Sequence, residues 1–206
     1  MPTAVTEAPY RPVPAEPARK RWTRTECEAL ETTGLLDDQK LELVDGELIS
    51  KMGKNRPHTN ALVFTQAWFV RVFGVEFVNP ETPVDVAPED NPTNEPQPDI
   101  IVLKRPTGEF EKANPQPADL HLVVEVSDTS LGFDLTKKAA LYARAGIVEY
   151  WTLDVAARQL VVHRKPTNGR YLSVVVYGEQ ETIAPLAAPT TEFRVADAFR
   201  LAPETS

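Results

Sequence analysis

The spacing of apolar residues changes period repeatedly along this chain, and each period predicts an element. Trp22 opens the first ordered pattern: Thr23 and Glu26 stand at capping-box spacing, and Trp22 with Cys27 can staple the start of a short helix running to about Thr32. In KLELVDGELISKM, apolar residues flank Asp45-Gly46, a dipeptide that accepts the positive φ angles of a tight type I′ turn, so a hairpin is expected. HTNALVFTQAWFVRVFG places Leu62, Thr65, Phe69 and Val72 on one helical stripe, from near His58 to a stop at Gly74. Strand-like runs follow at Val75–Val78, Pro83–Val86, Ile100–Leu103 and Leu120–Val126, separated by proline-rich loops such as PEDNPTNEPQP. FDLTKKAALYARAG reads as a helix closed by Gly146, EYWTLD as a strand leaving it, and QLVVHRK with YLSVVVY as a hairpin about Thr167-Asn168-Gly169. This order predicts an α/β (α+β) fold, a mixed sheet with one helix on each side and extra hairpins.

Residues 1–20 carry five prolines and no period, which predicts a disordered arm; a single domain is expected over 21–200 and a flexible tail over 201–206. A single cysteine, Cys27, excludes an internal disulfide framework and a cysteine-rich zinc site, and points to a reducing, cytoplasmic setting. The arm lacks the apolar stretch of a secretory signal. The most apolar helical window, Ala61 to Val75, is interrupted by Arg71 and falls short of the roughly 20 residues a bilayer requires, so no membrane contact is expected. The net charge of -8 excludes a protein that coats nucleic acid by bulk electrostatics. It leaves room for a local contact, because a divalent-cation site needs surplus carboxylates.

The chemistry concentrates between Pro98 and Asp154. Side chains alternate along a strand, so Asp99 in PDIIVL shares a face with Ile101 and Leu103, and Glu125 in HLVVEVS shares one with His121, Val123 and Ser127. A buried carboxylate without a partner costs several kcal/mol, which demands a base, a shared proton or a metal ion. At about 100° per residue, Lys138 projects into the apolar stripe of Leu135, Ala139 and Tyr142, whereas Lys137 turns to the polar side near Arg144. Two strand carboxylates and an inward lysine are the minimal apparatus for metal-assisted phosphodiester hydrolysis.

PDIIVL, LVVEVSDTS and DLTKKAALYARAGIVEYW, preceded by ELVDGELI and the His58 helix, resemble the bacterial Uma-type restriction endonucleases, a branch of the PD-(D/E)XK superfamily. The likeness runs from about Leu41 to Asp154. No single piece is specific, but the ordered set of four is. The resemblance implies a restriction-endonuclease-like core with Asp99, Glu125 and Lys138 as catalytic residues. It also implies Mg²⁺, for which Mn²⁺ can substitute, held by Asp99, Glu125 and the Val126 carbonyl, and DNA as substrate. The superfamily's usual lysine, two residues after the second acid, is replaced here by Ser127. In this branch the role moves to the following helix, which agrees with the projection of Lys138. Asp128 stands where the family more often has proline, a departure that either adds an outer ligand or alters the turn.

Each of these residues also has a plainer reading. Asp99 follows a proline and can be a turn residue, Glu125 and Lys138 can form an inert core ion pair, and Lys138 can cover apolar surface while its ammonium reaches water. His58 is either a solvated helix-start residue or, as the family likeness suggests, a group that positions phosphate or water. Glu42 and Glu47, beside the Asp-Gly turn, are either exposed hairpin residues or a source of an extra acid; Glu47, His58 and Ser127 are the expected supporting residues. Tyr142, Tyr150 and Trp151 read as core. The histidines lack metal-binding spacing, and no phosphate loop or nucleophile elbow is present. A glycosidase would leave the inward lysine without a role. The expectation is therefore a Mg²⁺-dependent endonuclease acting on DNA, with a homodimer paired through strands after Asp154 as a compatible assembly. The alternative is a catalytically inactive nuclease-fold module that binds nucleic acid or a protein partner.

Overall fold

The computed structural model describes residues 18–36, 38–51 and 55–200; apart from residues 18–20, the expected arm lies outside the described residues, as does the tail at 201–206. Helix α1 (Arg24–Glu31) opens with the expected capping box between Thr23 and Glu26. Strands β1 (Leu41–Val44) and β2 (Glu47–Ser50) form the hairpin, with Asp45 and Gly46 at φ of 50° and 73°, as a type I′ turn requires. Gly46 must also stay bare, since a Cβ there would lie 2.9 Å from Arg21 Cβ. Helix α2 (Arg56–Phe73) is capped by Asn55, whose side chain accepts the His58 N–H, and it stops at Gly74.

The main sheet has six strands in the order β3 (Val78–Pro80), β4 (Ile100–Leu103), β5 (Leu120–Ser127), β6 (Glu149–Asp154), β7 (Gln159–Thr167) and β8 (Arg170–Tyr177). Only β5 and β6 are parallel. Parallel neighbours need a crossover, supplied here by α3 (Leu131–Phe133), a π-helical turn over Asp134–Lys138, and α4 (Ala139–Arg144). Strands β9 (Thr182–Ile183) and β10 (Phe193–Arg194) make a small separate ribbon.

Alternation along the strands divides the core into two layers. Ala61, Leu62, Trp68 and Phe69 of α2 pack on Ile100, Val102, Leu122, Val124 and Trp151. On the opposite face, Ala139, Tyr142 and Ala143 of α4 pack on Ile101, Leu103, Val123 and Tyr150. The mixed sheet with a helix on either side is thus as expected.

Three local expectations fail, each for a physical reason. Val75–Phe77 coil into a 3-10 turn after Gly74, so the strand begins only at Val78. Pro83–Val86 has no strand partner among the described residues: Val84 N–H donates to the Pro96 carbonyl, Asp85 N–H to that of Pro115, and Val86 N–H to the Asn91 side chain. Val84 and Val86 are buried all the same, which is why the segment reads as a strand. His121 leaves the Glu125 face, because the ladder shifts where Val102 pairs with Leu122 but Leu103 with Leu120. Its ring stacks instead on Phe73 of α2.

Candidate active site

Strand β5 runs past the beginning of β4, and this overhang builds the site. Asp99 lies immediately before β4, and its Oδ2 accepts the Val126 N–H at 2.9 Å. A residue's N–H and C=O point to the same side of a strand, so the Val126 carbonyl also faces the Asp99 side, beyond the last β4 partner of β5. Glu125, 2% exposed, projects to the α4 face. Its Oε1 accepts from Lys138 Nζ at 2.8 Å and from the Tyr142 hydroxyl at 3.0 Å, leaving Oε2 outside both bonds.

The π-helical turn sets the other half. It carries Lys138 to a buried position where Nζ lies 2.8 Å from Glu125 Oε1, 2.8 Å from Glu42 Oε1 and 3.9 Å from Asp134 Oδ1. Such turns widen a helix by one residue and recur at functional sites. Asp134 is fixed by two hydroxyls, Ser127 Oγ at 2.7 Å and Ser130 Oγ at 2.6 Å. Glu42 reaches in from β1, its Oε2 accepting the Gln97 N–H at 3.0 Å. Beside Asp99, Lys51 Nζ lies 3.7 Å from Oδ1 and also donates to the Gln97 carbonyl, while His58 Nε2 lies 3.8 Å from Oδ2. These groups line a cleft of about 510 Å³ whose mouth is bordered by Asn55, Asp128, Thr129 and Ser130. The Asn55 amide donates to Asp128 across that mouth.

One ammonium among three carboxylates cannot neutralise them all. Burial pushes the Glu125 carboxyl up to about 8; Lys138 opposes the shift, and Asp134, Asp99 and Glu42 add to it. Burial likewise raises Asp134 against the pull of Lys138 and its two serines. Burial acts to lower the pKa of Lys138, but Glu125, Glu42 and Asp134 outweigh it and hold the ammonium above its ordinary range. The pocket therefore carries surplus negative potential that a cation would relieve.

Among the described residues, no three His, Cys, Asp or Glu side chains come together as a ready metal cage. Mg²⁺ does not require one, since it takes one or two carboxylates and keeps several waters. The donors present fit that habit: the Asp99 carboxylate, the Glu125 oxygen left free by Lys138 and Tyr142, and the Val126 carbonyl, all hard oxygens at the overhang.

Asp99, Glu125, Val126, Lys138 and His58 all line the cleft. Ser127 is fully buried and bonds to Asp134, so its hydroxyl reaches the cleft lining through that residue. Glu47 is not brought in: it is exposed and pairs with Val44 beside the turn, whereas Glu42 pairs with Ile49 deeper along the hairpin. Lys51 and Asp134 went unnoticed in the sequence, and Tyr142, read as core, places its hydroxyl on Glu125. Asp134 had a usable signal, since it stands at i−4 from Lys138 on the same helical face.

Comparison with known proteins bears on this geometry. A family model described as "Uma2: Putative restriction endonuclease" matches residues 25–196. The chain belongs to the Uma2 family. Its fold is also that of a crystal structure from Anabaena variabilis described as a putative nuclease belonging to DUF820, with a TM-score of 0.62 at 14% identity over 79% of this chain and 90% of that one. No curated protein matches the chain. Uma2 membership supports a nuclease, and none of the described helices is long and apolar enough to cross a membrane.

Proposed function

We propose that this protein is a Mg²⁺-dependent endonuclease that hydrolyses phosphodiester bonds of DNA, with Mn²⁺ able to replace Mg²⁺. The observation that carries this reading is the convergence of Asp99, Glu125 and Lys138 on one cleft. Asp99, Glu125 and the Val126 carbonyl would hold the ion, which when bound polarises the phosphoryl group and acidifies water. The chain's own residues do the rest. The Val126 N–H holds the Asp99 carboxylate at the overhang, beside the Val126 carbonyl. Lys138, clamped by Glu42, Glu125 and Asp134, presents a fixed positive charge that stabilises negative charge developing in the transition state. Lys51 and His58 line the same cleft beside Asp99, where they would meet an incoming phosphate.

The net charge of -8 favours a second reading, an inactive nuclease-fold module that binds nucleic acid or a protein partner. One assay separates the two: cleavage of supercoiled plasmid and single-stranded DNA in Mg²⁺ or Mn²⁺ by wild type, Asp99→Ala and Lys138→Ala, each checked for folding by circular dichroism. An enzyme loses roughly 10²–10³-fold in rate in each variant. Equal background cleavage by all three proteins rejects the enzyme, and metal-independent binding that survives Glu125→Gln supports the module.

A further inference from the structure

The candidate cleft joins two chemically unlike surfaces. One is polar and carries Asp99, Glu125, Lys138, Lys51 and His58, the groups proposed to meet metal and phosphate. The other is apolar and takes no part in that chemistry. Ile49 of β2 and Phe133 of α3 both line the cleft, half-buried, and both pack on the small core cluster of Val44, Val86 and Leu141. Seated on that cluster, they give the cleft a fixed apolar surface beside the polar one. Recognition of a nucleic-acid backbone calls for charged and hydroxyl side chains, backbone N–H groups and helix N-termini, and has no use for an aromatic ring. A base taken out of its stack does, because any base can lie on such a ring.

Access and charge point the same way. Asp99, Glu125 and Lys138 are only 4%, 2% and 2% exposed, and the Asn55 amide bonds to Asp128 across the mouth. At about 510 Å³ the cleft has the size of a small-molecule pocket. A duplex is stiff and keeps its paired bases stacked inside, so it offers no base to such a pocket without extruding one. Among the described residues, Lys51 and Lys138 are the only lysines or arginines lining the cleft, and Lys138 is already clamped by Glu42 and Glu125. So few cations neutralise few phosphates, and binding must draw on the bases. We propose that, given the nuclease reading above, the substrate is unpaired nucleic acid: a single strand whose base stacks on Phe133 beside Ile49 while its phosphate reaches Asp99 and Lys51.

The test offers one labelled DNA oligonucleotide to the full chain in Mn²⁺, as a single strand and as a complete duplex. The single strand should be cut at least about 10-fold faster. Phe133→Ala should raise KM for the single strand about 10-fold while kcat stays within about twofold, and Phe133→Trp should restore KM. A merely structural role for Phe133 would lower kcat instead and gain nothing from tryptophan. A duplex cut as fast as the single strand overturns the proposal, as does a Phe133→Ala variant whose KM is unchanged. If neither form is cut, the nuclease reading falls, and fluorescence anisotropy of the same two oligonucleotides decides strand preference by itself. Binding at least about 10-fold tighter to the single strand, and weakened by Phe133→Ala, then supports the unpaired ligand. Equal or tighter binding of the duplex overturns it.

Discussion

Glu125 and Glu149 sit on the adjacent strands β5 and β6, both almost without solvent exposure, yet their surroundings differ in kind. Glu149 is balanced. Its Oε1 accepts from Trp151 Nε1 at 3.0 Å and from Arg164 Nε at 2.8 Å, and its Oε2 accepts the Leu186 N–H at 2.7 Å. Arg164 in turn donates to the Ala184 carbonyl, so the pair fastens residues 184–186 to the sheet. Glu125 shares a single ammonium with Glu42 and Asp134 and opens onto a cleft. Burial of a carboxylate is common to both and discriminates nothing. The charge imbalance together with an open cleft makes Glu125 the candidate site residue and leaves Glu149 as a fastening.

The contrast can be broken by mutation, and the largest effect belongs to the fastening. Glu149→Ala leaves Arg164 without its counter-charge and should lower the unfolding free energy by about 3–5 kcal/mol, read from denaturant titration. A loss below about 1 kcal/mol would mean that the balanced pair contributes no more than a surface contact.

The next effect concerns metal and pH. The folded pKa of Glu125, about 8, lies above its ordinary 4.5, so the folded state holds the extra proton between those values. The associated stability is fully present below about pH 4.5 and is lost as pH rises through about 8. A divalent ion competes with that proton, so Mg²⁺ should raise the melting temperature more at pH 8.5 than at pH 6. At a hundredfold excess over its dissociation constant the gain should approach about 2.7 kcal/mol. An Asp99→Asn variant should show little of it, and an equal shift at both pH values would disconnect the ion from Glu125.

Glu125→Gln removes the self-repulsion while keeping an acceptor for Lys138 and Tyr142. At pH 8.5 without metal its unfolding free energy should exceed that of wild type by on the order of 1 kcal/mol, the opposite sign to Glu149→Ala. The smallest effect is that of Glu47→Ala, where an exposed residue outside the cleft should change stability by no more than about 0.5 kcal/mol and leave cleavage unchanged.

Much of this was legible in the sequence because it is local. The capping box at Thr23 and Glu26, the Asp45-Gly46 turn and the stripe of α2 each depend on residues within a few positions of one another. The inward direction of Lys138 was legible too, although it is reached through a π-helical turn that helical projection does not foresee. Segments that bury apolar residues without ladder bonds, such as Pro83–Val86, cannot be distinguished from strands by periodicity, which reports burial and not pairing.

The periods, the turns and the identity of the acids and bases follow from local sequence, because propensity and alternation act over a few residues. Tertiary structure alone decided which of them meet. The overhang of β5 past β4 put Asp99 beside Val126, the hairpin's docking chose Glu42 over Glu47, and a register shift turned His121 to the other face. Each of those choices depends on strand register and packing between segments distant along the chain, which no local pattern encodes.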